Sequence, residues 1–194
     1  MSRRRPATLA VLAALSLAGA TLPAAPVGAQ EISVSLGGGW YQPGGEDFDD
    51  TDGGPGVHGA VGFGLTESLE LGLGAQWSRH AVDFSSDDYD VIAVYAEPRL
   101  YLGAGGPLRP FVAGRLAWVR QGIAVEGVDR NADGFGGAAE VGAALGLGSS
   151  VALEGGASLA LLSFGDFQTD RNTLDGTDSS GRALGFRLGL RVWP

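Results

Sequence analysis

The chain has 194 residues, with 13 arginines, no lysine, 22 acidic residues, no cysteine and a net charge of −9 at neutral pH. So acidic a balance argues against a nucleic-acid partner, whose phosphates call for the opposite charge. The absent cysteines remove disulfide staples and lipoprotein anchoring alike.

Residues 1–29 read as a cleaved signal peptide. Arg3, Arg4 and Arg5 form a basic start, Leu9 to Leu22 an apolar core, and Val27-Gly28-Ala29 a small-residue cleavage site. The domain proper is then 30–194. Without the three leader arginines it carries 10 Arg against 22 acids, a net charge of −12. No later stretch holds 18 consecutive apolar residues, so no transmembrane helix is expected.

From Glu31 onward apolar residues alternate with polar or tiny ones, the period-2 signal of strands. Ile32, Val34, Leu36 and Trp40 share one phase of the first segment; Val57, Val61, Phe63 and Leu65 follow in the second. After a turn at Thr66-Glu67-Ser68, the third carries Leu69, Leu71, Leu73, Ala75 and Trp77. The fourth offers Ile92, Val94, Ala96, Leu100 and Leu102, with Pro98 in its middle, where a missing ladder donor calls for a bulge. The fifth offers Val112, Leu116 and Trp118, and the sixth Ala139, Val141, Ala143, Leu145 and Leu147. Val151, Leu153, Ala157, Leu159 and Leu161 make the seventh, and Leu184, Phe186, Leu188, Leu190 and Val192 the eighth.

The connections alternate too. Those after segments 2, 4 and 6 are short. Those at 43–54, 83–90, 124–134 and 164–181 are long and hold 16 of the 22 acids. Short turns at one end and long loops at the other is the asymmetry of outer-membrane barrels, with the short turns and both termini periplasmic. Trp40, Trp77 and Trp118 lie on the apolar phase, ~15–20 Å up a tilted barrel, where an interfacial aromatic girdle belongs.

The opposite phase carries Glu70, Glu97, Arg99, Arg115, Glu140, Glu154, Arg187 and Arg191. An eight-stranded barrel is just wide enough inside for side chains to fill it, so charges there must pair. Four acids against four bases predict a neutral network that plugs the lumen. The fold class is all-β: a transmembrane up-and-down antiparallel barrel of eight strands.

On this strand count, loop asymmetry and Glu/Arg lumen, the whole mature chain resembles the small eight-stranded outer-membrane β-barrel proteins, of the OmpA transmembrane-domain and OmpX kind. The terminal strand Gly185-Phe186-Arg187-Leu188-Gly189-Leu190-Arg191-Val192-Trp193 is similar to the signal such proteins present to the barrel-insertion machinery, although Trp193 falls on the inward phase and Pro194 follows it. The resemblance implies the outer membrane of a Gram-negative cell, contact with outer-membrane lipid and lipopolysaccharide, and a monomer.

Three other patterns are present. Asp129-Arg130-Asn131-Ala132-Asp133-Gly134, with Glu140 six positions on, fits the spacing of a calcium loop without its flanking helices. Asp129, Asn131 and Asp133 are its candidate ligands, and Asp170, Asn172 and Asp175 form a looser second set. Calcium is the one cofactor suggested; none is required. His58 and His80 point inward near the outer rim, but no Ser/His/Asp set accompanies them, so no catalytic residue is named and no enzyme is expected. Gly38-Gly39-Trp40 is similar to the Gly-x-Trp of soluble lipocalins, whose apolar interior this charged phase contradicts. The function expected is structural or surface-interacting, through acidic extracellular loops. A narrow porin-like channel for small solutes is the alternative, and a lipid-active enzyme comes third.

Overall fold

The computed structural model describes residues 31–48, 50–82, 88–103, 106–125, 128–168, 173–174 and 179–194. The expected leader and the set Asp170, Asn172 and Asp175 lie outside the described residues. Eight long strands form the staves: β1 (Ile32–Gly44), β2 (Gly54–Gly64), β3 (Leu69–His80), β4 (Tyr89–Tyr101), β5 (Leu108–Val125), β6 (Val128–Gly146), β7 (Val151–Phe164) and β10 (Ser179–Val192). Two short strands, β8 (Phe167–Gln168) and β9 (Thr173–Leu174), make a ribbon that touches β6 at Asn131.

Each stave pairs antiparallel with the next, and β10 returns to β1 from Val34↔Val192 to Gly44↔Arg182. The sheet closes on itself, which leaves no stave with an unpaired edge. The eight-stranded up-and-down barrel expected from the alternation is the fold observed.

One end carries the turns 65–68 and 147–150 and residues 102–103 and 106–107, together with Ile32 and Val192. In the first of these, Thr66 Oγ1 accepts the Leu69 N–H at 3.0 Å, so one side chain closes the turn. At the other end lie 45–48, 50–53, 81–82, 88, 165–168 and 173–174. Residues 124–125 and 128–134 differ from expectation: they continue the β5–β6 hairpin, which pairs as far as Val125↔Val128. Acidic composition suggested a loop there, but the alternation runs on. Strands that project past a membrane meet water on their outer face, so acids suit them.

Pro98 needs no bulge. The β4–β5 ladder loses the rungs between Ala96↔Leu116 and Arg99↔Ala113, yet both pairs keep the same register. On the other side Leu71↔Pro98 is paired without interruption. The missing N–H costs local rungs on one side only, and the ring faces outward.

The barrel is inverted relative to a soluble one. Leu36, Leu116, Val141, Leu161 and Phe186 stand exposed on the outer wall, Leu116 at 74%. Inside, Ser33, Glu70, Glu97, Arg99, Glu140, Glu154 and Arg191 are buried. In water so continuous an apolar belt would drive aggregation; against lipid it is the stabilising surface.

Candidate functional site in the barrel lumen

The period-2 alternation aims every second side chain into the lumen, and closure brings those of opposite staves within reach. Glu70 (β3), Glu97 and Arg99 (β4), Arg115 (β5), Glu140 (β6), Glu154 (β7), Arg187 and Arg191 (β10) all point inward. Arg191 Nη1 donates to Glu70 Oε1 at 2.7 Å, and its Nε donates to Glu154 Oε2 at 2.9 Å. Arg99 bridges onward, from Glu154 Oε2 at 2.7 Å to Glu97 Oε1 at 2.8 Å. Glu97 also receives Arg115 at 2.7 Å and Arg187 at 3.0 Å, and both arginines reach Glu140, at 3.1 and 2.7 Å. All eight charges therefore belong to one unbroken chain of ion pairs that crosses the lumen.

Their burial decides what this can do. The Arg99 side chain is 1% exposed and those of Glu97, Glu140 and Glu154 are at most 5% exposed. An ion there loses its water, and only direct, well-placed partners offset that loss. Guanidinium groups suit the task, since their several donors serve more than one carboxylate. Two also lie over rings, Arg99 at 4.2 Å from Phe111 and Arg115 at 4.3 Å from Tyr95. Ser33 completes the lower knot by accepting from Arg191 Nη1 at 2.6 Å.

The packing uses glycine as the counterpart of several large side chains. A Cβ on Gly156 would sit 2.4 Å from Glu140 Oε1, one on Gly142 2.5 Å from the Phe111 ring, and one on Gly74 2.6 Å from Tyr95. Much of the glycine on the inward phase thus makes room for the network. Below it, Trp193 packs against the cluster of Tyr101, Phe111, Ala113, Ala144 and Ala152. Arg109 stacks on Tyr101 at 4.2 Å and donates to the Glu67 carbonyl at 2.8 Å, narrowing that mouth further. The inward phase of Trp193 gives it this role.

Toward the loop end the lumen changes. Above Arg115 and Glu140 the inward positions include Ala93, Val119, Ala132 and Phe164, clustered under Phe48 and Tyr89, with Ser78, His80 and Gln121 as polar members. The lumen charges of the sequence end below this largely apolar half, which the charge pattern does not reveal. The signal that finds it is the run Ala117, Val119, Gln121 and Ile123 on the inward phase of β5, uncharged beyond Arg115.

The three tryptophans face outward on the loop side. Trp40 is opposite Pro55 and Trp77 opposite Val57; Trp77 is then opposite Ile92 and Trp118 opposite Val94. Each step moves two residues along the intervening stave in the same sense, as a constant height on tilted staves requires. Phe186 and Phe135, beside Trp40 and Trp118, extend the aromatic row. Just beyond it Arg79 lies 5.2 Å from the Trp77 ring and Arg120 5.3 Å from the Trp118 ring. Each arginine also holds an aspartate across the ladder, Asp90 at 2.9 Å and Asp133 at 2.6 Å.

The candidate calcium ligands are not brought together. Asp129, Asn131 and Asp133 are successive same-face positions of β6, so an extended backbone separates the first from the last by about 13 Å. The Asp133 carboxylate is bound by Arg120, and the Asp129 side chain lies outside the described residues. Among the described residues no three acids, histidines or cysteines gather as a metal site. His58 lies at mid-height, opposite Gly37 and Gln76, and not near the rim. His80 is at the rim, with Ser78 Oγ at 3.0 Å and the Asp52 carbonyl at 3.1 Å.

A closed antiparallel barrel with an apolar outer wall and a charged, buried interior is an outer-membrane β-barrel. The chain matches the outer membrane protein beta-barrel domain over residues 8–191 and belongs to that family. Its fold is similar to Neisserial surface protein A, at 16% identity and a TM-score of 0.66, covering 87% of this chain and all of that one. Similar too are the Pseudomonas aeruginosa outer membrane protein OprG (10% identity, TM-score 0.56, 84% of this chain and 95% of that) and Ail, the attachment invasion locus protein of Yersinia pestis (12%, 0.55, 84% and 97%). No curated protein matches the chain in sequence.

Proposed function

We propose that this protein is a non-conducting barrel of the Gram-negative outer membrane, serving as a structural support that presents its acidic loop end outside the cell. The observation that carries the reading is the single ion-pair chain through all eight lumen charges. A solute passing through would have to displace guanidinium groups from carboxylates in a water-poor interior, where breaking one pair costs about 3–5 kcal/mol. The short-turn end, with both chain termini, faces the periplasm in this reading, and the final strand is what the insertion machinery engages. The aromatic row and its arginines then stand at the lipopolysaccharide level of the outer leaflet.

Planar-bilayer recordings on the refolded barrel test this. The expected trace stays at the bilayer leak, and Glu97→Ala, which strands three arginines, raises the frequency of openings. Steady, uniform openings in the unaltered protein would overturn the reading in favour of a narrow channel.

A further inference from the structure

The loop-side half of the lumen holds a cavity of about 80 Å³. Its walls are Val91 and Ala93 from β4, Ala117 and Val119 from β5, and Ala160 and Leu162 from β7. Its floor is Gln76, Arg115 and the Tyr41 ring, the top of the charged layer. Its roof is Phe48, delivered by the 3₁₀ turn Glu46–Phe48 and packed edge-on against Tyr89 at 6.2 Å and against Phe164 at 6.1 Å. The roof is built into the barrel rim. Asp47 accepts the Ser180 N–H at 2.8 Å, and a Cβ on Gly181 would come within 2.5 Å of the Phe48 ring.

The void follows from residue volume. Ala138, Ala160 and Ala183 form one row across β6, β7 and β10, each directly opposite the next. Three methyl groups stand there at a level where the layer below has glutamate, arginine and tyrosine. We propose that this space is a binding chamber for a small neutral apolar molecule, entering from the loop end past Phe48.

The polar groups at its margin define the ligand class. Ser78 and His80 hydrogen-bond each other at 3.0 Å, and His80 is also bonded to the Asp52 carbonyl. Gln76 Oε1 accepts from Arg115 at 3.3 Å, and the Tyr89 hydroxyl donates to Gln121. The Tyr41 hydroxyl lies over Gly39, where a Cβ would meet it at 3.0 Å, so it points into the charged layer and away from the chamber. Gln76, Ser78, His80, Tyr89 and Gln121 are thus already partnered, while the Tyr41 hydroxyl, turned from the chamber, has no hydrogen-bond partner among the described residues. A charged or strongly polar guest would lose its water and find little in return. Ser158 leaves one hydroxyl on the wall, suited to a guest with a single polar atom. An apolar cavity of ~150 Å³ stays dry and takes benzene or xenon, so this smaller one takes a few heavy atoms at rest and a benzene ring when Phe48 shifts.

The chamber rests on the closed-lumen reading only for its floor, and the two fail separately, one by conductance and the other by binding. The test uses the folded barrel in lipid nanodiscs with labelled methyl groups, titrated with benzene. Inward methyls of Val91, Val119 and Leu162 should shift saturably, while outward Leu116, Leu161 and Leu184 respond linearly as benzene enters the lipid. Filling the chamber with Ala160→Phe should abolish the saturable response while heat-modifiable gel migration persists. Where that variant does not fold, Ala117→Val should weaken the apparent affinity several-fold. Linear shifts alike on both methyl sets, or saturation unchanged in the filled variants, would overturn the proposal.

Discussion

The two halves of the lumen are built on the same eight staves and differ in what their inward positions carry. In the short-turn half several long side chains face a glycine, as Glu140 faces Gly156 and Phe111 faces Gly142, so the section is full. In the loop half alanine faces alanine, as Ala138 faces Ala160 and Ala160 faces Ala183, so the section is underfilled. Barrel radius is common to both halves. What differs is the volume and polarity assigned to each level, and that turns one stretch into a plug and the next into a chamber. A plug is held by directional ion pairs that tolerate no missing member. A chamber wall is held by backbone ladders and non-directional apolar contacts, and it tolerates added volume better.

Removing a member of the plug should produce the largest effect. Glu97 binds Arg99, Arg115 and Arg187 within 3.0 Å, so Glu97→Ala leaves three buried guanidinium groups short of a partner. Urea unfolding of the lipid-embedded protein should show a loss of about 3–5 kcal/mol. A loss well below that would mean that the lumen admits water freely, and the contrast between the halves would collapse.

Adding volume should separate the halves by sign. A Cβ at Gly156 would overlap Glu140 Oε1 and approach the Val141 carbonyl at 3.1 Å, so Gly156→Val should destabilise by about 1–3 kcal/mol. Ala160→Val, on the same stave and phase four residues further up, points its extra methyls into the chamber. Filling such a space commonly contributes about 0.5–2 kcal/mol, so this variant should be neutral or more stable. Equal losses in the two variants, read from the same unfolding curves, would mean that the loop half is packed as tightly as the plug.

Most of the frame was legible because it depends on period alone. Leu36, Leu73, Leu116 and Leu188 had to share a face, and Glu97, Arg99 and Glu154 the other, whatever the register. Which arginine meets which carboxylate was not legible. The Arg99–Glu154 contact joins β4 to β7 across the lumen, and it depends on barrel stagger, which no local pattern encodes. The apolar half was legible in principle, since Ala117, Val119, Ala160 and Leu162 lie on the inward phase. Acidic content also misled at 124–134, where Asp133 is a ladder partner of Arg120 and not part of a loop.

That pair supplies the smallest expected effect and the sharpest control. Arg120 and Asp133 make a two-pronged contact at 2.6 and 2.8 Å, as short as any in the plug. Their side chains are 48% and 42% exposed, however, beyond the aromatic row and in reach of water. Water screens their attraction and re-solvates either group when the other is removed, so Arg120→Ala should cost no more than about 1 kcal/mol. Raising the salt concentration should shrink even that difference, while leaving the Glu97→Ala loss nearly unchanged, because mobile ions screen exposed charges far better than buried ones. Geometry is matched between the two sites, so the gap between the two variants measures what burial inside the barrel does to an arginine–carboxylate pair.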